Sequence, residues 1–130
     1  MLASNLDKNK YKNICLIDTN AKLAPKIKVS GGAKCNITNE LVSSKNYLGD
    51  RNFVKEILEK FSKDDLLTFL NKNGVFPKIN PKIVKGTYFC NSSQDVIDMF
   101  TKLTTHIKKY LNTTVLDVEF NNHYKIKTDT

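Results

Sequence analysis

At 130 residues the chain has the length of one ordinary domain, and a hydrophobic share of 40% with a charged share of 26% fits a folded globular protein. No apolar run approaches the ~20 residues a membrane helix needs. The opening "MLASNLDKNKYK" has too short an apolar stretch, and charges on the wrong side, for a secretory signal, so the expected setting is the cytoplasm. The net charge of +8 raises nucleic-acid binding, but the excess is lysine spread along the whole length, with Arg51 the only arginine. Arginine is the residue that reads base edges and stacks on bases. Nucleic acid is therefore a disfavoured partner, and the lysines read mostly as a solvated surface.

Met1 to Leu6 reads as the end of a helix, with Leu2, Ala3 and Leu6 on one face. "KNICLIDTN" follows, a short apolar run closed by Asp18 and Asn20, and it reads as a buried strand. "AKLAPKIKV" then leads into a loop around Gly31 and Gly32. "DRNFVKEILEKF" places Phe53, Val54, Ile57, Leu58 and Phe61 at the spacing of an amphipathic helix. Ser62 and Asp65 announce a second helix through a capping box, and Gly74 ends it.

"VFPKINPKIVKGTYFC" is an extended stretch broken by prolines. A long helix begins near Ser92, with Asp95 three residues on and a stripe of Val96, Phe100, Leu103 and Ile107. "TTVLDVEF" and "YKIKTD", separated by Asn121 and Asn122, read as a hairpin. The class is mixed α/β, with no repeats or linkers and so no internal domain boundary.

A helix tail followed at once by a strand ending in an acid has the order of a βαβ unit's second half. In the dinucleotide-binding form such an acid accepts from a ribose 2′-hydroxyl, so Asp18 is a candidate for that role, although acids end many strands. The loop "KIKVSGGAKCNITN" is the other candidate. Backbone N–H groups beside Gly31 and Gly32 can converge on an anion without a Cβ in the way, and Ser30, Asn36, Thr38 and Asn39 supply hydrogen-bonding side chains. A tight turn held by Asn and Thr caps explains the same residues equally well.

Cysteines 15, 35 and 90 are odd in number and widely spaced, which opposes a disulfide framework. With only His106 and His123 beside them no zinc spacing exists, and no metal site is expected. Cys35 is the one candidate for a catalytic group, since Lys34 adjoins it, but no second cysteine stands at CxxC spacing. Cys15 and Cys90 read as small core residues. His106 is placed on the long helix at its surface and His123 in the hairpin turn. No Ser-His-Asp set or carboxylate pair can be assembled.

The segment Lys26 to Asn39 resembles the signature of bacterial NAD(P)/FAD-dependent oxidoreductase flavoproteins, the aminoacetone-oxidase-like family. Its form is K-hydrophobic-x-hydrophobic-S-G-G-G-R-C-N-hydrophobic-T-N. Lys26, Ser30, Gly31, Gly32, Cys35, Asn36, Thr38 and Asn39 match, and "LIDTN" matches the acidic strand end. Ala33 stands where a third glycine is usual and Lys34 where arginine is usual. "NGVFP", "GTYF", the long helix and the "TTVLDVEF" hairpin follow in the family's order.

The resemblance implies an incomplete FAD-binding, Rossmann-like domain of the two-dinucleotide-binding type over residues 1–130. The first strand and the GxGxxG turn would lie upstream and the remainder downstream. It implies FAD as cofactor and NAD(P)H as a possible electron partner. Asp18 would hold the adenosine ribose, and Lys26, Ser30, Gly31 and Gly32 the pyrophosphate and flavin. Asn36, Thr38 and Asn39 would contact the flavin or brace the loop, and Val115 would offer its backbone to adenine. The expected activity is that of an FAD-dependent oxidoreductase acting on an unidentified small molecule, with this chain inactive by itself. The alternative is a small basic α+β module that binds nucleic acid or another anion without catalysis.

Overall fold

A computed structural model describes residues 1–32, 34–79 and 85–130. Within these the chain forms two compact units, one from Met1–Pro25 with Phe100–Thr130 and the other from Lys26–Met99. The first unit is built from two separate stretches of chain, so no linker marks its limits in the sequence.

The first unit opens with a single helical turn, α1 (Leu2–Asn5), whose apolar face stays exposed, Leu2 by 79%. Strand β1 (Cys15–Ile17) comes next. The second unit starts within helix α2 (Pro25–Val29), at Lys26, in a stretch without helical periodicity that begins at a proline. Proline suits a first helical position, where its missing N–H costs nothing. Strand β2 (Asn36–Asn39) follows the glycine loop. Ile37 and Thr38 suit a strand but Asn36 and Asn39 do not, so the segment shows no clear strand pattern and pairing decides it.

Helix α3 (Arg51–Lys60) starts at Asp50, whose Oδ1 accepts from the N–H groups of Asn52 at 2.8 Å and Phe53 at 3.2 Å. Such an N-cap satisfies donors that the first turn leaves free. Val54 and Leu58 are half-buried, whereas Phe53, Ile57 and Phe61 remain exposed. Helix α4 (Lys63–Lys72) carries the expected capping box: Asp65 N–H donates to Ser62 Oγ at 3.1 Å, and Ser62 N–H to Asp65 Oδ2 at 2.8 Å. Gly74, at φ +83°, takes the left-handed conformation that ends it.

Strands β3 (Lys78–Ile79) and β4 (Thr87–Phe89) complete an antiparallel sheet in the order β2-β4-β3. Residues 80–84 of the expected extended stretch lie outside the described residues. The unit's core gathers Cys35, Leu70, Val75, Phe89, Cys90, Val96 and Met99.

Helix α5 (Ser93–Leu103) begins after Ser92, whose Oγ accepts from Gln94 N–H at 3.0 Å. It stops earlier than its apolar stripe suggests. Thr104 Oγ1 donates back to Phe100 O at 2.7 Å, and Lys109 Nζ donates to Thr104 O at 2.6 Å, so side chains satisfy the helix end. His106 therefore lies in a turn and not on the helix, while Ile107 is buried without being helical.

Strand β5 (Lys108–Tyr110), absent from the sequence reading, pairs in parallel with β1 in the register Cys15↔Lys108, Leu16↔Lys109, Ile17↔Tyr110. Parallel pairing requires a long crossover, and here it runs from Asp18 to Ile107. Among the described residues β5 is the one neighbour of β1. That strand is consequently half-buried, not buried, and Cys15, expected in the core, is exposed.

The hairpin forms as expected from β6 (Val115–Asn121) and β7 (His123–Thr128), turning at Asn122 with φ +57°. Val118↔Ile126 and Phe120↔Tyr124 share one face, Asp117↔Lys127 and Glu119↔Lys125 the other.

Candidate functional site

The sequence candidates divide between the two units, with Asp18 and Val115 in the first and the loop residues in the second. Asp18 follows directly on β1. Its N–H donates to Tyr110 O at 2.9 Å, continuing the β1–β5 ladder by one residue, and its carbonyl accepts from Thr113 N–H at 3.1 Å. Asn20 O accepts from Asn112 N–H at 3.2 Å. The turn after β1 is thereby fastened to the connection leading into β6, which starts at Val115. Asp18 is thus bonded to Thr113, two residues before Val115, through backbone pairing that joins distant parts of the chain.

The Asp18 side chain has a defined arrangement. Oδ1 accepts both the Asn20 backbone N–H at 2.8 Å and the Asn20 side-chain amide at 2.7 Å. Those donors, the backbone N–H first, hold its carboxyl below the ordinary carboxylate range. Oδ2 accepts no hydrogen bond among the described residues. An ionised carboxylate with one oxygen engaged and one open can accept from a hydroxyl such as that of a sugar. Val115, 43% exposed, pairs with Thr128 at the start of the hairpin. Asn20 was legible only as part of an Asp-x-Asn turn; its side-chain bond was not.

In the second unit Lys26 is exposed on α2, near the helix start. The helix gives way to Ser30, whose carbonyl accepts from Cys35 N–H at 3.1 Å, closing the loop. Gly31 and Gly32 sit at φ +58° and +61°, where only glycine avoids strain. Their surroundings differ. The space in front of Gly31 is filled by the Asn36 side chain, whereas among the described residues nothing lies within 4 Å of a Cβ placed on Gly32. Of the two glycines, Gly32 is the one whose backbone an outside group can approach. Ala33, which stands at the usual third glycine, lies outside the described residues.

Asn39 resolves as a brace. Its Nδ2 donates to Lys85 O and Thr87 Oγ1, both at 3.1 Å, and its Oδ1 accepts from Leu41 N–H at 2.9 Å. These bonds tie the end of β2 to the start of β4 and leave the amide committed. Thr38 is half-buried on the same strand, opposite Tyr88, and Asn36 is exposed opposite Phe89.

Cys35 is buried at 5% exposure with φ +55°, and burial pushes its thiol upward, away from the thiolate that nucleophilic chemistry needs. Cys90, whose N–H donates to Lys34 O at 3.0 Å, is pushed up to about 11 by burial, with Cys35 and Asp95 adding to it. Neither histidine joins a site: His106 is exposed in its turn and His123 pairs with Asn121 in the hairpin. Among the described residues no group of His, Cys, Asp or Glu is placed to hold a metal ion, and no helix is long and apolar enough to cross a membrane.

Comparison with known proteins agrees with this architecture. The chain is 35% identical over 101 residues to the ribosomal RNA dihydrouridine synthase of Escherichia coli (strain K12), covering 76% of this chain and 24% of that protein. It is 28% identical over 120 residues to the ribosomal RNA dihydrouridine synthase of Haemophilus influenzae (strain ATCC 51907 / DSM 11121 / KW20 / Rd), covering 91% of this chain and 28% of the relative. The chain therefore spans about a quarter of the length of these relatives. The family model described as HI0933-like protein Rossmann domain matches residues 1–130 throughout, and the chain belongs to that family.

Proposed function

We propose that the chain is part of a flavin-dependent oxidoreductase and supplies residues that bind FAD. The observation that carries this reading is the Asp18 carboxylate, set at the end of a parallel strand with Oδ2 open, in a chain of Rossmann family. Asp18 would accept from the adenosine ribose, and the backbone at Val115 would face adenine. In the second unit, taken by itself, the open backbone at Gly32 suits an anionic group such as a phosphate, with Lys26 adding positive charge. Asn39 and Asn36 hold the loop in shape in this reading. When bound, the flavin supplies hydride transfer, and the protein contributes binding, orientation and exclusion of water.

The names of the relatives favour a uracil ring in ribosomal RNA as substrate over a small amine such as aminoacetone. Dihydrouridine is uridine with two added hydrogens, so the reaction needs a hydride and a proton, with NAD(P)H as the electron source. The lysine surface, part of the net charge of +8, would then attract RNA phosphates in a salt-dependent way.

FAD titration, followed by quenching of flavin fluorescence, tests the reading on the full polypeptide that the gene encodes. Binding that Asp18→Asn weakens about tenfold supports it, the size expected for one charge-assisted hydrogen bond. Absence of flavin binding, together with RNA binding that collapses with added salt, favours the basic-module alternative instead.

A further inference from the structure

Asp18 is held by a neighbour that the proposed chemistry leaves unused. An aspartate carboxylate rotates readily about its last torsion, which is broad and roughly two-fold. Presented to solvent without a partner, it would offer either oxygen in many directions. Asn20 removes that freedom, since its backbone N–H at 2.8 Å and its side-chain amide at 2.7 Å both converge on Oδ1. Asn20 is itself anchored, because its carbonyl accepts from Asn112 N–H at 3.2 Å and Asp18's carbonyl from Thr113 N–H at 3.1 Å. The backbone that carries the amide is therefore tied to the connection between β5 and β6 and not merely to its own turn.

We propose that Asn20 is a positioning residue that locks Asp18 with Oδ1 engaged, leaving Oδ2 as the one acceptor presented to a ribose hydroxyl. The inference rests on the reading of Asp18 as a ribose ligand and adds a residue to it. Asn20 touches no ligand and acts only through the carboxylate. The lowered carboxyl of Asp18 agrees, arising from the two Asn20 donors against a small opposing effect of burial, with no charged side chain contributing. Any residue but proline at position 20 keeps the backbone donor, so the side-chain amide is what separates this role from simple turn formation.

The test uses the full encoded polypeptide without flavin and ADP-ribose as the probe. Two quantities are followed: the titration of the Asp18 carboxyl carbon by NMR, and the affinity for ADP-ribose by calorimetry. Asn20→Ala should raise the Asp18 midpoint part of the way to its ordinary value and weaken ADP-ribose about tenfold. Asn20→Ser, which restores a short donor, should recover most of both. Asp18→Asn sets the scale for complete loss of the carboxylate.

If Asn20→Ala lowers thermal stability yet leaves the Asp18 midpoint and the affinity unchanged, Asn20 is a turn brace and the inference fails while the ribose reading stands. If Asp18→Asn binds ADP-ribose like the wild type, or the wild type does not bind it, the ribose reading fails and takes this inference with it.

Discussion

The side-chain amide of Asn36 occupies the space that a Cβ on Gly31 would need, so the loop before β2 is closed by contact between these two residues. Gly32, its neighbour at nearly the same φ, has no such contact. Two adjacent glycines therefore do different work, one packed against the protein's own chain and one open to the outside.

Substitution separates them. Gly31→Ala combines left-handed strain with displacement of Asn36 and should cost about 2 kcal/mol or more. Gly32→Ala incurs the strain alone, about 1 kcal/mol. Urea denaturation of both variants measures the difference, and equal losses would show that the Asn36 contact carries no energy. The milder variant should still impair flavin binding, because its added methyl group projects where the ligand would approach.

The capping box of α4 ties Ser62 and Asp65 together in both directions. Ser62→Ala removes the acceptor for Asp65 N–H and should destabilise by about 1 kcal/mol in thermal unfolding. The Ser62 hydroxyl, then its backbone N–H, hold the Asp65 carboxyl below the ordinary range. A carboxyl lowered in the folded state adds stability that is present above the unfolded value, near pH 4, and is lost as pH falls through the folded value. The stability difference between wild type and Ser62→Ala should accordingly shrink as unfolding is measured below about pH 4, and a difference independent of pH would contradict the role given to Asp65.

Leu70 is 2% exposed and is the largest fully enclosed side chain in the second unit's core. Its truncation to alanine leaves a cavity in that core, at a cost of about 3 kcal/mol. Leu66 and Leu67, on the same helix but half-buried, should each cost less. Denaturant midpoints for the three alanine variants test that order.

Thiol accessibility distinguishes the cysteines. Cys15 is exposed and should react with a soluble disulfide reagent within the native protein at pH 8. Cys35 and Cys90 are buried with raised thiols, so they should react only after denaturant is added. Rapid native labelling of Cys35, read by peptide mass mapping, would restore it as a redox candidate. Cys35→Ser should leave flavin binding intact.

What the sequence determined was local. The caps at Ser62 and Ser92, the apolar spacing of α3 and α5, and the Asn122 turn each draw on residues within a turn or two of one another, so a linear reading captures them. The acid closing β1 and the glycine loop were legible for the same reason. Tertiary structure decided what depends on partners remote in the chain. Strand β5 exists because Lys108 to Tyr110 pair with β1, and "KKY" carries no strand pattern by itself. Strand β2 forms from Asn and Thr residues because β4 supplies its ladder, and that pairing turns Asn39 from a candidate ligand contact into a brace. Cys15 is exposed because burial of a strand depends on how many neighbours it has, which apolar composition does not state. Asp18 was named from its position, but its open oxygen was fixed by Asn20 and by backbone bonds to residues 112 and 113 from the far end of the sequence. Periodicity and caps arise from the geometry of one helix turn or one hairpin. Pairing and orientation arise only when distant segments meet.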